Sequence, residues 1–71
     1  MNELILIQEK HSYKYVFVSL VKDLNMNYYQ AASCATIAHN KGTCSIKEGD
    51  IMDLKEMQDL LSKRKINTEI V

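Results

Sequence analysis

The alternation of apolar and polar positions divides the chain into successive segments, and the first is a short apolar run. Leu4–Ile7 is a run of four apolar side chains that includes two β-branched isoleucines, and this predicts a strand buried on both faces. The polar stretch Gln8–Ser12 follows it and predicts a loop.

The next segment repeats apolar side chains at spacings of three and four residues, which is typical of an amphipathic helix. The repeating positions are Tyr13, Val16, Phe17, Leu20, Val21 and Leu24. The polar positions elsewhere on the circumference are Lys14, Ser19, Lys22 and Asp23. Ser12 precedes the repeat and is a suitable N-cap, so the first helix is expected to span this repeat.

A second helix is predicted from Tyr28 to about Asn40. Asn27 and Gln30 are spaced as in a capping box, in which each side chain bonds the other residue's unpaired backbone N–H. The segment carries four alanines, whose small side chains allow a helix to approach a neighbouring backbone closely. Gly42 suits the left-handed residue that ends such a helix.

The remaining segments predict a strand, a helix and a strand. Thr43–Lys47 alternates as a strand does, and Glu48 with Gly49 is interpreted as a turn. Asp50 can cap a third helix. Its apolar positions, again at helical spacing, are Ile51, Leu54, Met57 and Leu61. Ile66–Val71 predicts the final strand.

The predicted order is therefore β-α-α-β-α-β in a single domain, residues 1–71. Three strands cannot close a barrel, but they can form one mainly antiparallel sheet with three helices packed on it. This is a two-layer α/β sandwich of the α+β class. A chain of this length buries only about 60% of the surface that its unfolded form exposes. We therefore expect a shallow pocket or a partner-binding face, and not a deep cleft.

Charge and composition limit the classes of partner that we expect this protein to bind. Nine basic and nine acidic side chains balance, whereas nucleic-acid binders usually carry a basic excess. The one basic cluster, Lys63–Lys65, is interpreted as a solvated helix end, where positive charge meets the negative end of the helix dipole. The longest apolar run, Leu4–Ile7, is too short for a membrane span or a signal-peptide core. We expect a cytoplasmic protein that binds neither nucleic acid nor membrane.

The candidate nucleophiles and metal ligands fit no known pattern. Cys34 and Cys44 are not spaced as a C-x-x-C pair, and a structural disulfide is not expected in the cytosol, so we interpret them as small buried thiols. Cys34 and His39 fall on different faces of one helix, which disfavours a nucleophile–base pair. The two histidines and two cysteines fit no usual zinc spacing. The sequence predicts a protein that is not an enzyme and uses no metal or cofactor.

Four short motifs, in this order, resemble the Clp protease adaptor family, ClpS. They are Leu24-Asn25-Met26, Gln30-Ala31, His39-Asn40-Lys41-Gly42 and Cys44-Ser45-Ile46. The resemblance runs from about Leu4 to Val71 and implies a non-enzymatic adaptor. Members of the family hold the N-terminal residue of a degradation substrate, usually a large apolar one, in a small surface pocket. They dock on a Clp-family AAA+ ATPase for delivery.

The resemblance also implies which residues would form the peptide-binding site. A free α-ammonium needs acceptors at short range, and Gln8 and Glu9 stand where the family has its acceptor loop. His39 corresponds to the family's histidine at the end of the second helix. The positions that correspond to the apolar lining are Ala35, Ala38 and Ile66.

Asp50 and Lys55 correspond to the acidic and basic positions that dock on the ATPase, which favours retained partner docking. Other positions depart from the family. Lys10 places a positive charge where a second acid is usual, and the two alanines are smaller than the usual Met and Val. The first strand starts within about three residues of Met1, where the family has a flexible extension needed for delivery, so we expect poor delivery.

A second hypothesis is an interaction domain that keeps the fold without the pocket. The C-terminal domain of the ribosomal stalk protein has a comparable element order and docks factors through a helix face. Lys10 and the small alanines favour this alternative. Taken without the resemblance, His39 is typical of a helix end and Glu9 of a solvated loop. Ala35 and Ala38 are then packing residues.

Overall fold

The element order is the predicted one. The computed structural model describes residues 1–8 and 11–71, and in these residues the order is β-α-α-β-α-β. The elements are β1 (Asn2–Ile7), α1 (Tyr13–Leu24), α2 (Tyr28–Lys41), β2 (Thr43–Gly49), α3 (Ile51–Lys63) and β3 (Asn67–Ile70). None of the described helices is long and apolar enough to cross a membrane.

β1 lies at the centre of an antiparallel sheet of order β2-β1-β3. Leu4 and Leu6 are fully buried, whereas Ile5 and Ile7 are only half-buried. The prediction of a strand buried on both faces is therefore wrong. Successive side chains of a strand point to opposite faces of the sheet, and here one face meets the core while the other stays partly open to solvent.

β2 extends further than the sequence predicts. Its register pairs Glu48 with Glu3 and Gly49 with Asn2, so both residues belong to the strand and not to a turn. Pairing with the first residues of β1 satisfies their backbone groups, which outweighs the turn preference of a lone glycine. A shift in register between Leu4 and Ile5 places a bulge in this pair of strands.

The predicted N-caps occupy their expected positions. Ser12 Oγ accepts a hydrogen bond from the Tyr15 N–H at 3.2 Å, and Asn27 Oδ1 accepts one from the Gln30 N–H at 2.8 Å. Each cap satisfies one of the N–H groups that the first turn of a helix leaves unpaired. Asp50 takes the N-cap position of α3, but its side chain makes no capping hydrogen bond.

The core is built from large side chains of β1, α1 and α3, from Ile66 just before β3, and from small side chains of α2. The large members, all less than 3% exposed, are Leu4, Leu6, Val16, Leu20, Leu54, Leu61 and Ile66. The small buried members from α2 are Ala31, Cys34, Ala35 and Ala38. Small side chains at the contact allow α2 to lie close to its neighbours without leaving voids.

Ser19 is also fully buried, although its spacing predicts the polar side of α1. Its hydroxyl donates to the carbonyl oxygen of Tyr15 at 2.8 Å, within the same helix. A serine can be buried at little cost when its hydroxyl bonds the preceding turn in this way.

Candidate functional site

The end of β1 and the end of α2 meet at one edge of the molecule, which we call the β1–α2 edge (Gln8, His39 and Gly42). The Gln8 N–H donates to the carbonyl oxygen of Gly42 at 2.9 Å. Gly42 has a φ of 90°, and its N–H donates to the carbonyl oxygen of Ala38 at 2.7 Å. This left-handed cap ends α2 as predicted. The two segments that the family resemblance brings together are therefore joined through their backbones.

The side chains at the β1–α2 edge differ in what they offer a ligand. His39 is exposed in the last turn of α2. The Gln8 amide donates through Nε2 to the carbonyl oxygen of His11, and its Oε1 is buried without a partner among the described residues. Glu9 and Lys10, the expected carboxylate and its opposing charge, lie outside the described residues.

The three residues expected to line an apolar pocket lie instead within the core. Ala35 and Ile66 are 2% exposed and Ala38 is fully buried, and all three belong to one cluster of packed side chains. Their surfaces are already in contact with the sheet and the neighbouring helices. In this packing they offer a ligand almost no surface.

Polar contacts connect the start of α1 to the end of α3. The sequence did not predict them. The His11 ring stacks on Tyr15 at 4.8 Å, and His11 Nε2 lies 2.6 Å from the carbonyl oxygen of Lys65. The Tyr15 hydroxyl donates to the carbonyl oxygen of Arg64 at 2.8 Å. These partners are about fifty residues apart in the chain, so no local pattern indicates them.

Arg64 also forms an ion pair with Asp23 of α1. The cluster Lys63–Lys65 does form a helix end, with Lys63 and Lys65 exposed, but Arg64 is only partly solvated because it pairs with Asp23. The hydrogen bond to the Asp23 carboxylate raises the pKa of the Arg64 guanidinium above its ordinary value. Because Arg64 is partly open to solvent, the pair orients the end of α3 more than it stabilises the fold.

The two residues expected to dock on an ATPase are both exposed. Asp50 immediately precedes α3, and Lys55 lies in the second turn of that helix. Asp50 is the N-cap residue with an extended backbone and Lys55 lies in the next turn, so a partner that contacts both would bind at the start of α3.

A concave surface of about 290 Å³ lies between α2 and β2, and we call it the α2–β2 groove. Its main walls are Met26, Tyr29, Cys34, Ile37, Cys44 and Ile46. None of its described lining residues carries a charge. Sequence reasoning missed this groove, because it forms only where the helix packs beside an edge strand.

The outward face of α2 continues from this groove. The α2 face (Tyr29, Ala32, Ser33, Thr36 and Ile37) borders a shallow concavity of about 340 Å³. Tyr29 is 84% exposed and Ile37 43% exposed. From Tyr28 to Asn40 the helix carries no Asp, Glu, Lys or Arg, a signal that was readable in the sequence.

The two cysteines are free and buried, as predicted. Burial, with a smaller contribution from the neighbouring thiol of Cys44, raises the pKa of the Cys34 thiol above its ordinary value. Such a thiol is protonated at neutral pH and is a weak nucleophile. Among the described residues, no three His, Cys, Asp or Glu side chains are grouped as metal ligands.

Comparison with known proteins gives no family assignment. No protein-family model matches the sequence, and no curated protein matches it either.

Proposed function

We propose that this chain is a non-enzymatic protein-interaction domain that binds a partner protein through the α2 face. The observation that carries the proposal is the exposure of Tyr29 and Ile37 on an uncharged helix surface that continues into the α2–β2 groove. This corresponds to the hypothesis of an interaction domain without an N-terminal-residue pocket. The burial of Ala35 and Ala38 supports the same hypothesis.

The physical basis is the cost of leaving such side chains in water. An exposed tyrosine and isoleucine beside a concavity gain free energy when a partner covers them, and aromatic side chains are enriched among residues that dominate interfaces. The matching partner presents an apolar side chain to the groove. Because the α2 face carries no charge, contact with it leaves no buried charge unpaired.

The test is affinity capture of the partner from cells that express the chain, quantified by mass spectrometry. Tyr29→Ala should reduce binding of the captured partner by about 30-fold, which corresponds to about 2 kcal/mol. Met52→Ala is the matched control, because Met52 is 76% exposed on α3, away from the groove. Equal losses in both variants would contradict the proposal.

A second candidate function is the adaptor activity that the ClpS resemblance implies, favoured by the bond between the Gln8 N–H and the Gly42 carbonyl oxygen. In this proposal an N-terminal ammonium binds at the β1–α2 edge, where exposed His39 and the negative end of the α2 dipole both favour a positive group. The chain then docks on a Clp-family AAA+ ATPase through Asp50 and Lys55.

Fluorescence anisotropy tests the ammonium site with labelled peptides that begin with Leu, Phe, Tyr or Trp. Free amino ends should bind more tightly than N-acetylated controls, and equal binding would remove the site. Capture of a Clp ATPase by the chain, compared with Asp50→Lys and Lys55→Glu, tests the docking surface. Unchanged capture by both variants would show that these residues do not dock the ATPase.

A further inference from the structure

Cys34 and Cys44 are brought together by the packing of α2 against β2. They are ten residues apart in the chain, on the inner side of the helix and on the first residues of the strand. Both belong to the same cluster of buried side chains, and both line the same concave surface between the two elements. The pairing of Cys44 with Leu6 holds the strand in place opposite β1.

The pair also has a route to solvent. Both cysteines form part of the wall of the α2–β2 groove, with Cys34 4% and Cys44 8% exposed. A small molecule that enters the groove can therefore reach Cys44 with little movement of the protein. The Cys44 thiol is otherwise engaged only weakly, as a donor to the carbonyl oxygen of Ser45 at 3.4 Å.

The residues around Cys34 and Cys44 favour one of the reactions that two neighbouring thiols can undergo. Two cysteines alone do not complete a tetrahedral metal site, and no third His, Cys, Asp or Glu side chain of the described residues is grouped with them. A disulfide is neutral and removes two weakly bonded S–H groups from the core. Because the groove has no charged side chain among its described lining residues, an uncharged product suits it.

We propose that Cys34 and Cys44 are an oxidisable pair, which a low-molecular-weight disulfide of the glutathione type converts to an intramolecular disulfide between α2 and β2. The inference concerns the thiols alone and does not rest on the identity of a binding partner. It assigns the α2–β2 groove a second role, as the entry path for the oxidant.

The reaction proceeds by two thiol–disulfide exchanges. The Cys44 thiolate attacks one sulfur of the small disulfide, whose S–S bond breaks and releases one small thiol. Cys34 then loses its proton and attacks the Cys44 sulfur of the mixed disulfide, and the departing small thiolate takes up a proton and leaves as the second small thiol. This second exchange is the slow step, because burial keeps the Cys34 thiol protonated at neutral pH. The protein loses two electrons and two protons, and both end on the two released thiols.

The experiment incubates the folded chain in buffers of increasing ratio of oxidised to reduced glutathione. After acid quenching, intact mass and alkylation in denaturant report the free thiols. Free thiols should fall from two to none, with the loss of two hydrogen atoms and no attached glutathione. Oxidation should also raise the melting temperature, because a cross-link restricts the unfolded chain.

The matched control moves one thiol by a single residue. In the double variant Cys44→Ser with Thr43→Cys, the second thiol lies on the opposite face of β2, at an exposed position that is not among the described lining residues of the α2–β2 groove. This variant should accumulate mixed disulfides with glutathione and no internal disulfide. Far-UV circular dichroism checks that the variant is folded.

Two results would overturn the proposal. One is a wild-type chain that keeps both thiols, or forms only mixed or intermolecular disulfides, across the whole range of ratios. The other is internal oxidation of the control variant to the same extent as the wild type, which would mean that the native contact of Cys34 with Cys44 does not direct the reaction.

Discussion

The β1–α2 edge and the α2–β2 groove lie at two sides of the same helix, and they differ in the kind of surface they present. The edge is polar and is held by backbone hydrogen bonds at Gln8 and Gly42, with His39 exposed beside them. The groove mixes apolar side chains with the polar Gln30, Ser33 and Ser45, and it carries no charge among its described lining residues. Short sequence motifs indicated the first region, and only packing revealed the second.

The difference follows from the way α2 distributes its side chains. Its buried positions are small, as at Ala35 and Ala38, while the larger Tyr29 and Ile37 point outward. The small face packs into the core, and the bulky apolar face stays exposed. Residue size on each face, and not hydrophobicity alone, decides where a helix can bind.

The substitution with the largest expected effect on stability tests whether the core next to the β1–α2 edge has room for a larger side chain. Ala35→Met introduces a side chain of the size usual in the adaptor family that the sequence resembles, and it should lower the free energy of unfolding by about 1–3 kcal/mol, because it overpacks the core. Urea unfolding measures this. The control Thr36→Met, at an exposed position on α2, should be nearly neutral. A stable Ala35→Met variant that gains affinity for Leu-initiated peptides would show that the edge contains an expandable pocket.

The second largest expected effect on stability concerns Gly42, which ends α2 at the β1–α2 edge. Gly42→Ala should cost about 1–2 kcal/mol of stability, because its φ of 90° is strained for a residue with a Cβ. The added methyl meets nothing within 4 Å, so the loss comes from backbone conformation alone. Gly49→Ala is the matched control, since it also has open space and lacks a positive φ. Similar losses at both glycines would exclude this explanation.

Alkaline titration tests the burial of the thiol in the groove. The raised pKa of Cys34 means that the folded state holds its proton more tightly than the unfolded chain does. This contribution to stability is complete below the ordinary thiol pKa of 9.0 and is lost as the pH rises above it. The loss reaches at most about 1.4 kcal/mol per pH unit. Cys34→Ala should reduce the slope in urea unfolding between neutral and alkaline pH, and equal slopes would contradict the inferred burial.

Two substitutions with the smallest expected effects on stability test whether the β1–α2 edge and the α2 face bind different partners. Tyr29→Ala and His39→Ala should each change the free energy of unfolding by less than about 0.5 kcal/mol, because both side chains are exposed. Tyr29→Ala should reduce capture of a protein partner by about 30-fold and spare any binding of free amino ends. His39→Ala should do the reverse. If one variant removes both activities, the two regions form a single site.

The sequence was informative wherever a signal is local. The spacing of Val16 and Leu20 predicted α1, and the caps at Ser12 and Asn27 predicted where two helices begin. It failed where packing decides the outcome. Glu48 joins β2 because β1 lies beside it. Ser19 lies in the core although it is polar, and a hydrogen bond within its own helix satisfies its hydroxyl.

The sequence by itself therefore determined the order of the elements, their approximate ends and the burial of the cysteines. These depend on periodicity and capping within a few residues of chain. Tertiary structure alone decided that Ala35 and Ile66 fill the core, that Arg64 pairs with Asp23, and that Cys34 meets Cys44 beside an uncharged groove. Each of these depends on the packing of separate elements against one another, and periodicity along the chain does not specify that packing.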